Sequence, residues 1–214
     1  MSTIMEERYS QYQLVKSKSG LTVPYIDEVY LHSMYSPAKE AEGFAKLHEE
    51  TLKRKKNVIV LGLGFGYHVE EIAKILNREH DNYRILIIEP NEQLYKDFNE
   101  KRKFEDSNII PIHTKDPESL FLRRDFTEFL LSSPAILKHD ASFMLNKEFF
   151  SNLLQYKAST DLNQLRRFSK SIDTFVETSH ENGTLEEYIE SVMKKRTFTR
   201  KDFLTLAFNE IANS

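Results

Sequence analysis

The 214-residue chain has no cysteine and no tryptophan, and only six glycines and six prolines. Without cysteine it can form no disulfide, no thiolate metal centre and no cysteine nucleophile, and it suits a reducing compartment, with the cytoplasm as the expectation. So little glycine and proline excludes a linker-rich or low-complexity chain. No segment approaches the ~18 apolar residues of a membrane span. The start, MSTIMEERYS, has acids where a secretory signal needs a basic end followed by an apolar run. The expectation is a protein that is neither exported by that route nor embedded in a membrane. An excess of positive charge is missing too: 30 Lys and Arg stand against 33 Asp and Glu, net −3, which argues against a general nucleic-acid binder. There is no G-x-S-x-G elbow and no P-loop, so hydrolase and NTPase readings lack support.

What is present is a globular composition, 40% hydrophobic and 29% charged, in a chain long enough for one main domain with a small appendage. YQLVKSKSGLTVPYI reads as two short strands around the turn Lys16 to Gly20, with Pro24 putting the second strand at an edge. Ser36 caps a helix with Pro37 at its first position. Ala41, Phe44, Ala45 and Leu47 repeat at helical spacing, and the helix is expected to run to about Lys53. Strands and helices then alternate: strand Val58 to Leu61, helix Tyr67 to Asn77, strand Arg84 to Glu89, a helix in NEQLYKDFNEKRKF, strand NIIPI, a helix starting at Asp116 and Pro117, and strand PAILKH. This alternation predicts β-α-β units in a parallel, doubly wound sheet, an α/β Rossmann-like architecture.

After about Asn146 strand signals stop. Leu165, Phe168, Ile172 and Phe175 form one stripe in a long helical segment from roughly Lys147 to Thr178. Asn182-Gly183 breaks it, Thr184 and Glu187 form a capping box for a helix through Met193, and Thr199 with Asp202 starts a third helix through Ile211. The expected organisation is a Rossmann-like domain over residues 1–145, with its hairpin and first helix, and a helical extension over 146–214. The extension either closes the sheet's open face or pairs with another subunit as a homodimer.

The stretch VIVLGLGFGYHVEEIA carries the chemistry. Gly62, Gly64 and Gly66 suit a tight strand-to-helix turn that needs positive φ and lets a ligand approach the backbone, and the helix that follows aims free N–H groups at the same place. A dinucleotide fingerprint would have its third glycine at 67, where Tyr67 stands; G-x-G-x-G is the spacing of S-adenosylmethionine-dependent methyltransferases. Glu89, 27 residues after Gly62 at the end of the second parallel strand, is placed to accept hydrogen bonds from ribose hydroxyls, or else to cap the next helix. Asp116 is placed to touch a base or, more plainly, to cap a helix. Methyltransferases usually keep an acid two residues before the first glycine, and Val60 stands there, which turns the reading away from methyl transfer.

His68 in the first turn of the helix could bind an anionic group or move a proton. His32 and Ser33, His113, and His139 with Asp140 lie at strand or loop ends that gather at the carboxyl edge of such sheets. No pair has metal-ligand spacing along the sequence, so no metal is expected. The basic run Lys194, Lys195, Arg196, Arg200 and Lys201 could contact a phosphate backbone or an acidic partner, but reads more plainly as a solvated helix end.

Two segments together resemble the amino-terminal Rossmann-like domain of motility accessory factors, which glycosylate flagellin with nonulosonic acids. LHSMYSPAKEAEGFAKL matches at His32, Ser33, Tyr35, Pro37, Glu40 and Ala41, and VIVLGLGFGYHVEEI at Gly62, Gly64, Gly66, Tyr67 and His68; EPNEQLYKDF is a weaker match. The resemblance covers roughly residues 25 to 155. The family's following transferase-type domain, with its Gly-Pro-Ser-Leu segment, has no counterpart. The resemblance therefore implies a nucleotide- or nucleotide-sugar-binding module of a glycosylation system, with flagellin or another protein of that system as partner. Its ligand would be S-adenosylmethionine or a CMP-activated sugar. Gly62, Gly64, Gly66 and Tyr67 would form the cradle, Glu89 would hold a ribose, and His32 and His68 would line the mouth. A methyltransferase and a protein-interaction domain with a vestigial pocket are the alternatives, and no catalytic residue is assigned.

Overall fold

The computed structural model describes residues 11–157, 185–199, 202, 206 and 207. It divides into two compact units, Met1–Gln155 and Tyr156–Ser214. The first unit opens with a meander of strands β1 (Tyr12–Lys16), β2 (Thr22–Ile26) and β3 (Val29–Tyr30). Their order is β1-β2-β3, so β2 is central and the expectation that Pro24 marks an edge is corrected. The Pro24 carbonyl accepts from Leu31 N–H, and the N and O of one strand residue point to the same side. The missing N–H of Pro24 therefore faces past the short β3, and the β1–β2 ladder is spared. The third strand escaped the sequence reading because its turn, Asp27-Glu28, has φ of 44° and 67° without the Asn or Gly that usually signals such a turn.

Ser36 caps α1 (Pro37–Leu47), its hydroxyl accepting from Lys39 N–H. The expected single helix to Lys53 is two: at His48 the N–H reaches back only three residues, to Ala45, and α2 (Glu49–Arg54) starts anew. Then come β4 (Asn57–Leu61), α3 (Tyr67–Glu79), β5 (Arg84–Glu89), α4 (Glu92–Lys101) and β6 (Ile109–His113). The helix expected from Asp116 is a 3-10 turn, Glu118–Leu122, followed by α5 (Arg124–Leu131). Strand β7 (Ala135–Lys138), α6 (Asp140–Leu145) and α7 (Lys147–Leu154) complete the unit.

Every pairing in the second sheet is parallel, and its order is β6-β5-β4-β7. Taken in chain order these four strands lie 3-2-1-4, the order at the heart of a Rossmann-like fold, with β4 and its glycines beside the switch point. Side-chain alternation splits the core in two. Val58 and Val60 of β4, Ile85 and Ile87 of β5 and Leu137 of β7 join α1, α3, α4 and the meander on one face, whereas Ile59, Leu61, Leu86 and Ile88 join Phe126, Phe129, Phe150 and Leu153 on the other. Two tyrosines fasten the meander: Tyr67 OH donates to the Thr22 carbonyl at 2.9 Å and Tyr12 OH to Asp97 at 2.7 Å.

In the second unit α8 (Leu185–Met193) is described, with Val192 buried. Thr199 and Asp202 cap each other: Asp202 Oδ2 accepts from Thr199 N–H at 2.7 Å, and Asp202 N–H donates to Thr199 Oγ1 at 3.3 Å. Lys194, Lys195 and Arg196 are exposed, and Lys195 pairs with Asp202 at 2.6 Å. The stripe Leu165, Phe168, Ile172 and Phe175, the Asn182-Gly183 break, Thr184, Arg200 and Lys201 lie outside the described residues.

Candidate functional site

The three glycines of the turn have φ of 102°, 55° and 84°, and Gly66, left-handed, caps α3 without a side chain. Open space does not face them. A Cβ on Gly62 would overlap Ser142, one on Gly64 would stand 2.5 Å from His32 Nε2 and 3.0 Å from His139 Cε1, and one on Gly66 would stand 2.7 Å from the Phe98 ring. Glycine is required here because the protein's own side chains approach the backbone.

The donors are engaged in the same way. Gly62 N–H bonds the Ile88 carbonyl, Gly66 N–H the Leu63 carbonyl, Leu63 N–H Glu89 Oε2 at 2.9 Å, and Phe65 N–H His32 Nε2 at 2.9 Å. His32 and Glu89 thus occupy N–H groups that an anionic ligand would use at such a turn.

Glu89 is fully buried. Its second oxygen, Oε1, accepts from Asn91 N–H at 2.8 Å, so the carboxylate ties the end of β5 to the glycine turn. Burial pushes its pKa up to about 7, against the downward pull of the Leu63 and Asn91 N–H groups. Asn91 caps α4 by accepting from Leu94 N–H. Asp116 is exposed and accepts from Glu118 N–H, a local turn contact. His113 reaches the Glu89 carbonyl through Nδ1 at 3.0 Å. Tyr67 is buried against the meander, with the Arg102 guanidinium 3.9 Å over its ring.

What the structure does bring together is three histidines. His32 follows β3, His68 sits in the first turn of α3, and His139 follows β7; one imidazole nitrogen of each lies within 4.8 Å of the others, and all three rings are buried. The rings of His68 and His139 stack at 4.3 Å, and His32 leans on His139 at 4.8 Å. His68 Nε2 meets the Gly62 carbonyl at 3.2 Å, and its Nδ1 has no partner; His139 Nδ1 meets Ser142 Oγ at 2.8 Å. Burial holds both His68 and His139 well below the ordinary histidine pKa, and the adjacent imidazoles add to this, so both are neutral.

The motif residues around His32 explain its placement. Ser33 Oγ accepts from Tyr35 and Ser36 N–H, and Ser33 N–H donates to Glu40 Oε2 at 2.6 Å, which folds the loop so that His32 points inward. Sequence reading had each histidine at the sheet's carboxyl edge but saw no ligand spacing, because separations of 36 and 71 residues say nothing about distance after β7 pairs beside β4. Ser142, which packs on Gly62 and bonds His139, carried no signal in the sequence. Two shallow surface depressions lie elsewhere, one between α1 and α3 and one at the amino end of the sheet, and neither is lined by Gly62, Gly64, Gly66 or Glu89.

The fold defines the class, a Rossmann-like α/β domain, from its own strand order. No protein-family profile and no curated protein matches the chain. Among solved structures it is similar to MnmC2 from Aquifex aeolicus, with 15% identity over 52% of this chain and 46% of that one and a TM-score of 0.34. It is also similar to spermidine synthase from Thermotoga maritima, with 12% identity over 68% and 64% and a TM-score of 0.43. The chain thus spans about half to two thirds of the length of these proteins. Among the described residues no helix is long and apolar enough to cross a membrane.

Proposed function

We propose that this domain is a non-catalytic assembly module on a Rossmann-like scaffold, with its nucleoside cradle closed by its own side chains. One observation carries the reading: His32, His139 and Ser142 stand so close over Gly62 and Gly64 that even a Cβ there would crowd them. The resemblance of the His32–Ala41 and Gly62–His68 segments to motility accessory factors supplies the partner class, flagellin or another protein of a surface-glycosylation system.

The test has two arms. Calorimetry of the purified chain with S-adenosylmethionine, S-adenosylhomocysteine and a CMP-activated nonulosonic acid is expected to give no saturable heat. Light scattering of the chain mixed with flagellin of the same organism is expected to give a complex of defined mass. Saturable binding of any of the three small molecules overturns the closed cradle.

A second reading is favoured by the glycine turn itself, whose spacing and positive φ values suit an adenosyl or nucleotide ligand once His32 swings away. In that reading the ligand takes over the Phe65 N–H, and a methyltransferase or a sugar-nucleotide binder follows from which ligand gives heat.

A further inference from the structure

A buried imidazole nitrogen with no hydrogen-bond partner is uncommon, because leaving it dry forfeits the bond it would make to water. His68 has one, Nδ1, in a side chain 1% exposed. Its other nitrogen is held by the Gly62 carbonyl, and His139 is held through Nδ1 by the Ser142 hydroxyl. That is the arrangement of metal-bound histidines: one ring nitrogen oriented by a carbonyl or hydroxyl, the other directing its lone pair at the ion. His32 completes the group, with its own Nδ1 unbonded and 3.4 Å from Glu40 Oε2.

We propose that His32, His68 and His139 form a binding site for a divalent transition-metal ion of the zinc class. This goes beyond the assembly-module reading and does not depend on it. Three imidazole donors select zinc, cobalt, nickel or copper over magnesium and calcium, which take oxygen ligands. Ligand nitrogens about 2.0–2.1 Å from a tetrahedral ion stand about 3.4 Å apart. The present spread of up to 4.8 Å therefore closes by about 1.4 Å on ligation. The stack of His68 on His139, with ring planes 13° apart, opens as both lone pairs turn to one point. The ion joins three segments distant in sequence, the β3–α1 loop, the start of α3 and the β7–α6 junction, over the glycine turn.

Ligation has a consequence at the backbone. A neutral imidazole has one N–H and one lone pair, and His32 Nε2 now spends its lone pair on Phe65 N–H. If Nε2 ligates, that lone pair goes to the metal; if Nδ1 ligates, the proton moves to Nε2, which then cannot accept. Either way the Phe65 N–H is released.

The experiment is a titration of the whole chain, freed of metal by chelation, with Co²⁺ followed in the visible. The expected result is tetrahedral d–d absorption that saturates at one equivalent, is displaced by Zn²⁺, and is accompanied by a shift of the Phe65 amide resonance. The absorption is expected to be lost in His68→Leu, and in His139→Gln should the first variant fail to fold by circular dichroism. No tetrahedral absorption in the wild type, or equal absorption in the two variants, overturns the site. So does an unmoved Phe65 resonance at saturation.

Discussion

Two buried polar centres flank the same glycine turn, and they differ in how they are satisfied. Glu89 has both oxygens bonded to backbone N–H groups, of Leu63 and Asn91, and behaves as a structural tie between β4 and β5. The histidine cluster is closed just as tightly, yet His32 Nδ1 and His68 Nδ1 have no hydrogen-bond partner. Both of those bonds run to backbone inside the protein, so the carboxylate of Glu89 is explained without a ligand. The histidine cluster keeps an unused lone pair, on His68 Nδ1, while the Nδ1 of His32 faces Glu40 Oε2 at 3.4 Å, and that difference separates scaffold from candidate site at one end of one sheet.

The largest effect is expected from removing the satisfied centre. Glu89→Leu leaves two buried N–H groups unpaired and should lower unfolding stability by about 4 kcal/mol in urea denaturation at pH 6. A loss below about 1 kcal/mol would show that the turn does not need the carboxylate.

The pH dependence is next. The folded-state pKa of Glu89 is raised, to about 7, so between the unfolded value and 7 the native state binds the extra proton. Its contribution is therefore fully present below about pH 4.3 and falls as pH rises, by about 3 kcal/mol once the pH is well above 7. The stability difference between wild type and Glu89→Gln, measured at pH 5 and pH 8, isolates this from other groups; a difference that does not change with pH removes the assigned cause.

At the crowded glycine, Gly64→Ala combines positive φ with overlap on His32 Nε2 and should lose about 2 kcal/mol. Part of that loss is expected to return when His32→Ala is added, read as a double-mutant cycle. Strict additivity would mean that His32 does not fill the cradle. The smallest effect should come from the other centre: His68→Leu in metal-free protein removes the dry Nδ1 but leaves one buried carbonyl, that of Gly62, without its imidazole partner, and should cost about 1 kcal/mol. A loss as large as that of Glu89→Leu would erase the distinction between the two centres.

Much of the frame was legible beforehand. The apolar runs of β4 and β5, the cap at Ser36 and Pro37, and the strand-helix alternation predict the parallel sheet, because those signals are local and the sheet's connections are short. The β3 strand was not legible, since Asp27 and Glu28 adopt left-handed backbone without a residue type that announces it. Nor was the break at His48, where the apolar spacing continues on either side. The site was half legible. Gly62, Gly64 and Gly66 were found with a sound reason, the need for close approach; that Ser142, His32, His139 and Phe98 stand against them was not legible.

The sequence by itself determined that a strand ends in a glycine turn that starts a helix, that Glu89 ends the neighbouring strand, and that histidines stand at loop ends. Each follows from the residues' own backbone preferences and periodicity. Only the tertiary structure decided that Glu89 faces back into the turn and that His32, His68 and His139 meet. Those depend on β7 pairing in parallel beside β4 and on the meander folding over α3, and such through-space pairing of distant segments leaves no spacing in the chain to read.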